Sequence, residues 1–474
     1  MSTFELGHWK PYKPDEQIRW NLPRVWMLHR RSGFGATWQQ LQRDLADGPE
    51  KSVVRILDGK SREHVAEDFE STSKFLLEQA IQSGQISRLS AWWILRMYLG
   101  PNAFEERRTL MWHNHFATSN STVQNVFRMY RQNRIFRQHG LKEFGTLLNA
   151  AIRDPAMLIW LNANDNRQGH PNENLARELM ELFSLGEGNY SEQDVKEAAR
   201  ALAGWTVPRM MQAPEDPFVE PNEDKMSIRN HWQDKFFKTV LVKTGDWDGD
   251  GLIKIVLEHP ATAKRLAWRV CDDLFGEGVV SDDALAELAE CLTENQLNMR
   301  WAFETALNSE LFFSNANLKS RVAAPETFVL GNLLALNTSA RPASTLSLNE
   351  VFTQLGRSLF QPPNVGGWDG GRLWLNARTV VARSNFVHSV VSNGLNRKAM
   401  APDFDGIVEG FENNTDIESV VIQLSELLLG LDRDSENDQR LIVEATKQAD
   451  QQPAGKRWAN TVQLLLNSSS AHLC

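Results

Sequence analysis

Across 474 residues, 42% are hydrophobic and 23% charged, which gives ample material for a buried core and excludes a disordered or fibrous chain. A net charge of −9 excludes a general nucleic-acid binder, which needs a basic face against phosphate. Three scattered cysteines, Cys271, Cys291 and Cys474, exclude a disulfide framework or a structural zinc knuckle and suit a reducing compartment.

Residues 1–22 read as irregular, with Pro11 and Pro14 interrupting regular structure. The first ten residues lack a basic region followed by an apolar core, so a cytoplasmic location is expected. No uncharged apolar run of about 18 residues occurs, so no membrane span is expected. A short helix is predicted from Arg24 to Arg31, ending at Gly33, and Thr37 is placed to cap the next, which runs to about Ala46. Amphipathic spacing predicts further helices over 62–82, 88–99, 102–116, 122–138 and 141–153. Arg128, Arg131, Arg134 and Arg137 recur every three residues along one of these, a band to be solvated or paired with acids.

Pro171 opens the next helical pattern, with Leu175, Leu179 and Leu182 on one face and Gly186 at its end. Ser191 and Asp194 form a capping-box pattern for a helix that stops at Gly204. Residues 206–248 are rich in Pro, Asn and Asp and read as a long irregular insertion with a short strand at 239–242. Helices resume over 251–315, 320–336 and 348–360. The Pro-, Gly- and Trp-rich stretch 361–378 cannot be helical, and helical patterns return at 379–394, 416–429 and 434–469. The expected architecture is mainly α: a multi-helix orthogonal bundle in two or three packed lobes. An N-terminal helical lobe spans 1–205 and carries the polar motifs, an irregular insertion spans 206–250, and a C-terminal helical lobe spans 251–474.

Three motifs could carry chemistry. In Asn172-Glu-Asn-Leu-Ala-Arg-Glu-Leu-Met-Glu181, Arg177, Glu178 and Glu181 share a face of the helix. One reading is a solvated face laced by ion pairs. The other is a carboxylate pair, Glu178 and Glu181, for acid–base work or metal binding, with Asp194, Glu197 and Arg200 repeating the pattern on the next helix. Trp112-His-Asn-His-Phe116 carries His113 and His115 at a metal-ligand spacing. On a helix such residues point about 160° apart, so core histidines bonded to backbone are the alternative. Asp246, Asp248 and Asp250 with Gly251 resemble the first half of a calcium loop, but the twelfth position is Leu257, and an Asp-rich helix cap is the rival reading. The glycines at 366, 367, 370 and 371 could make an anion-binding nest or a structural loop carrying Trp368 and Trp374. Sixteen tryptophans read first as helix-packing residues.

Several blocks in order look like one family: Leu28-His-Arg-Arg-Ser-Gly-Phe-Gly35, the His-Asn-His block, Asn172 to Gly186, Tyr190 to Trp205, His259-Pro-Ala-Thr-Ala263 and Pro362-Pro-Asn-Val-Gly-Gly-Trp368. Together they resemble the bacterial family catalogued as domain of unknown function 1800. The chain departs from the family pattern in having Gly356-Arg357 where Gly-Gln is usual. The resemblance implies no established activity. It implies a sulfatase-like protein as a partner or pathway neighbour, and its motifs match at Asn172, Asn174, Trp205 and Trp368, which are expected here to contact substrate.

Two expectations of different class follow. One is a metal-dependent, hydrolase-like enzyme acting on an anionic or carbohydrate-related substrate. In it His113 and His115 hold a divalent ion, Glu178 or Glu181 acts as base, and Arg177 or Arg200 grips the anion. The other is a helical scaffold for a sulfatase-like partner, whose polar groups pair internally.

Overall fold

The first polar block shows how the helices lock together. The helix Leu22–Ser32 is capped by Asn21, carries Pro23 in its first turn and ends at Gly33, and every one of its residues is buried. Its arginines therefore need internal acceptors. Arg30 donates to Asn332 and to the carbonyl of Leu428, and Arg31 donates to the carbonyls of Leu274 and Asn317. Gly35 sits at φ +146°, and a Cβ there would stand 2.7 Å from Gly331 Cα. That close approach of two backbones admits only glycine.

The computed structural model describes residues 7–62, 67–208, 225–338, 342–392, 402–411 and 416–474. Parts of the expected 62–82 and 379–394 helices, and residues 209–224 of the insertion, lie outside them. The fold is mainly α, with only two small antiparallel two-stranded sheets among the described residues. No described helix is long and apolar enough to cross a membrane.

Caps decide several boundaries. Thr37 and Gln40 form a full capping box on Trp38–Asp47, as do Ser191 and Asp194 on Glu192–Ala201; each such cap is worth about 1 kcal/mol. Three helices escaped the periodicity reading, Pro49–Leu57, Pro155–Trp160 and Phe404–Glu409. All three are short, and the first two start at a proline, whose fixed φ suits a first helical turn. The helix expected over 122–138 breaks at Gln124, which adopts φ +49°, into Asn120–Val123 and Val126–His139.

The polar motif helix also departs from a plain α-helix. Asn174–Glu178 is α-helical, and Leu179–Ser184 widens into a π-helical turn. Ser184 Oγ donates to the Leu179 carbonyl, five residues back, which supports the wider turn. In the insertion, Trp205–Thr206 pairs with Ser227–Ile228, and Lys238–Val240 pairs with Lys243–Gly245. The strand expected at 239–242 ends at Val240, because Leu241 and Val242 both take positive φ and form the hairpin turn.

One hydrophobic cluster runs from Trp9 to Cys474 and includes Trp26, Trp93, Trp112 and Trp205. Trp368 and Trp374 stand apart from it in a small cluster of their own with Ala324. Most buried tryptophans thus fill the core, while these two line something else.

Candidate functional site: an arginine–tryptophan cleft

Two helix faces and a glycine-rich loop enclose a cleft of about 920 Å³. From Ala103–His115, the residues Arg107, Leu110, Met111 and Asn114 face it; from Pro260–Leu274, Arg265, Trp268, Arg269 and Asp272 do. Both sets have the spacing i, i+3, i+4, i+7 that defines one helical stripe. The loop contributes Trp368 and Trp374, Arg357 packs against them on the same wall, and Glu326 completes the floor. A volume of this size suits a small ligand of one to a few rings.

The loop is fastened by the His-Asn-His motif. His113 Nε2 accepts the backbone N–H of Phe360 at 3.1 Å, which places the ring proton on Nδ1. Asn114 Oδ1 accepts the N–H of Trp368 at 2.8 Å, and its Nδ2 reaches the Trp368 carbonyl at 3.4 Å. Gly367 sits at φ +86°, where a Cβ would lie 2.4 Å from Asn114 Oδ1. His115 turns the other way and contacts the Phe183 carbonyl at 3.1 Å. Burial first, and then Arg357, pushes His113 down to about 3, so it is a neutral acceptor. Burial, followed by Arg269 and Arg265, holds His115 well below the usual imidazole range.

The floor is a buried charge network. Arg107 lies 3.6 Å from Asp273 and 3.4 Å from Glu326, and it donates to Thr327 at 2.9 Å. Arg108, beneath it, reaches Asp273 at 2.7 Å and stacks on Phe303 at 4.4 Å. Arg357 meets Glu326 at 3.4 Å while its guanidinium packs 4.9 Å from the ring of Trp368 and 4.8 Å from that of Trp374. Three buried guanidiniums thus share two buried carboxylates. Burial opposes the Asp273 anion, yet Arg108 and Arg107 hold its carboxyl below the ordinary range. Burial likewise opposes the Arg107 cation, but Asp273 and Glu326 hold it above its usual value.

The wall toward solvent has a different character. Trp268 is 39% exposed, with Arg265 at 4.7 Å and Arg269 at 4.9 Å from its ring. Arg269 is buried, and burial pushes it down to about 10. Among the described residues neither guanidinium makes a hydrogen bond, and Arg269 has only an ion contact to Asp272 at 3.7 Å. Exposed carboxylates at Asp272, Asp282 and Asp369 form the rim.

The motif helices sit elsewhere. Arg177 pairs with Glu192 at 2.6 Å and Glu173 at 3.2 Å; Arg200 pairs with Asp234 at 2.8 Å and Glu197 at 2.7 Å. Glu181 accepts from Tyr190 at 2.5 Å. Glu178 is half-buried, and burial first and then Glu181 push its carboxyl up to about 7. Neither Glu178 nor Glu181 lines the cleft. Asn172 Oδ1 accepts from the Asn174 backbone, and Trp205 is buried under Arg153 at 4.8 Å. Of the expected catalytic, substrate-contact and metal residues only Trp368 lines the cleft, with Trp374 and glycines 366, 370 and 371 of the same loop beside it and His113 fastening that loop.

The residues tested for a metal do not fit one. His113 and His115 are engaged with different backbone groups on different sides of their helix. Asp248 caps the Gly249–Leu257 helix, Asp250 pairs with Arg153, and Asp246 lies 3.7 Å from Lys238, so the three aspartates do not converge. Among the described residues, no group of three or more His, Cys, Asp or Glu side chains is placed to hold an ion.

The sequence reading missed Arg107, Asn114, Arg265, Arg269 and Glu326. Both helices carry polar residues on several faces, so no periodic signal marked the stripe that faces the cleft.

Fold and cleft define a mainly α-helical protein with an arginine- and tryptophan-lined depression. The chain belongs to the family described as protein of unknown function (DUF1800), whose model matches residues 27–473. No curated protein and no solved structure matches it significantly.

Proposed function

We propose that the cleft binds a saccharide bearing an oxyanion group, such as a sulfate ester, phosphate ester or carboxylate. The observation that carries this reading is Trp268: a part-exposed indole face bracketed by Arg265 and Arg269, whose guanidiniums have no hydrogen-bond acceptor among the described residues. An indole face packs on the C–H face of a sugar ring, and a guanidinium fork matches a planar or tetrahedral oxyanion. The exposed carboxylates at the rim supply acceptors for sugar hydroxyls. No step through a metal is part of this reading, since the histidines and aspartates considered for one have other partners.

Calorimetric titration with a sulfated monosaccharide, its phosphorylated analogue and the neutral parent sugar tests it. The charged sugars are expected to bind at least tenfold tighter than the neutral one, and Trp268→Ala and Arg269→Met each to weaken them by about tenfold or more. Equal affinity for charged and neutral sugars, or no binding of any of them, overturns the proposal.

A further inference from the structure

The cleft has two arginine–tryptophan stations rather than one. The first is Arg265–Trp268–Arg269 on the Pro260–Leu274 helix. The second is Arg357, held between Trp368 and Trp374 on the opposite wall. Between them runs the floor, Asp273–Arg107–Glu326, whose links are 3.6 Å and 3.4 Å long. Glu326 in turn meets Arg357 at 3.4 Å, and Asp273 is one helical turn beyond Arg269.

This order of charges constrains a ligand. Both stations favour an anion, because Arg269 and Arg357 are each more than nine-tenths buried and each has a guanidinium nitrogen without a hydrogen-bond acceptor. The centre offers an anion no unpaired cation, because Arg107 and Arg108 are paired there with the buried carboxylates of Asp273 and Glu326. Asp273 Oδ2 is held by Arg108 at 2.7 Å and Glu326 Oε2 by Arg357 at 3.4 Å, so the centre keeps its charges paired and suits a neutral, hydroxylated group. Resting on the saccharide reading above, we infer that the cleft takes a saccharide of two or more rings carrying two oxyanion groups, one at each station, joined by a neutral hydroxylated middle. The charge-paired floor is then a spacing rule: it offers no free cation to a ligand whose charge falls at its centre.

The test uses one disaccharide in three forms, neutral, singly sulfated and sulfated on both rings, titrated into the full chain by calorimetry. The doubly sulfated form is expected to bind at least tenfold tighter than the singly sulfated one. In Arg269→Met, and separately in Arg265→Met, that advantage shrinks to less than threefold. Arg357→Lys keeps a cation between the tryptophans where Arg357→Met removes it, so retention of the advantage in the first and loss in the second separates charge recognition from misfolding. Near-ultraviolet circular dichroism of each variant establishes that it is folded. If both sulfated forms bind equally well, the two-station inference fails while single-anion binding stands. If neither binds, the saccharide reading fails with it. Tighter binding of a nucleoside bisphosphate than of any saccharide overturns the ligand class while leaving two anion stations.

Discussion

Asn114 holds Trp368 by both edges of its amide, accepting the tryptophan N–H at 2.8 Å and reaching its carbonyl at 3.4 Å. One side chain on a buried helix thereby fixes the loop that forms a cleft wall. Asn114→Ala removes both contacts and is expected to cost about 1–2 kcal/mol of stability. Asn114→Asp keeps the acceptor and loses the donor, so it should fall between. Chemical denaturation ranks the three proteins, and identical midpoints would contradict the clamp. Gly367→Ala should be worse than Asn114→Ala, since it combines a positive φ with overlap on the amide.

The two motif histidines impose a pH dependence whose sign is fixed. His113 is pushed down to about 3 from an ordinary 6.5, so the native state refuses a proton that the unfolded chain accepts. Its contribution is intact above pH 6.5 and is lost as pH falls. At pH 5 the penalty is about 2 kcal/mol. His113→Gln retains an acceptor for Phe360 but does not titrate. The stability difference between native and variant proteins should therefore shift by about 2 kcal/mol toward the variant between pH 7 and pH 5, measured by urea unfolding. A difference independent of pH would show that His113 is not buried in neutral form.

Glu178 should behave in the opposite sense. Its carboxyl is raised to about 7, chiefly by burial and then by Glu181, so the native state keeps a proton that the unfolded chain releases above about 4.5. That stabilisation is full below pH 4.5 and disappears as pH rises through 7. Glu178→Gln stays neutral throughout. It should match the native protein near pH 4 and exceed it by about 1–2 kcal/mol at pH 8, after discounting for solvent screening. A Gln variant that is less stable at pH 8 would mean the carboxylate has a partner it needs.

Chelation should leave the fold alone. His113 Nε2 is engaged by Phe360, His115 contacts Phe183, and the aspartates at 246, 248 and 250 serve a lysine, a helix cap and an arginine. Melting curves with and without a chelator should coincide. A drop of several degrees on chelation, restored by one divalent ion, would contradict this arrangement.

Much of the scaffold was legible because its signals are local. Thr37 with Gln40, and Ser191 with Asp194, announce their helices within four residues. The Asn172–Glu181 motif was equally legible as a polar helix face, but its partners were not. Glu192 claims Arg177 across a loop, and Asp234 claims Arg200 from within the insertion. Spacing along one helix cannot reveal a partner on another. The cleft was hidden for the same reason: Arg107, Arg269, Glu326 and Arg357 are separated by up to 250 residues and meet only when four segments pack. Asn114 was overlooked between two histidines whose spacing drew attention to metals. The π-helical turn at Leu179–Ser184 leaves no mark in the apolar pattern, which reads as one continuous helix.

The central claim is that an anionic saccharide occupies the arginine–tryptophan cleft, and a crystal structure with a sulfated disaccharide bound tests it most directly. The account predicts a sugar ring stacked on Trp268 with a sulfate within hydrogen-bond reach of Arg265 or Arg269. Ligand density on the Glu178–Glu181 face, with the cleft left to solvent, would contradict it.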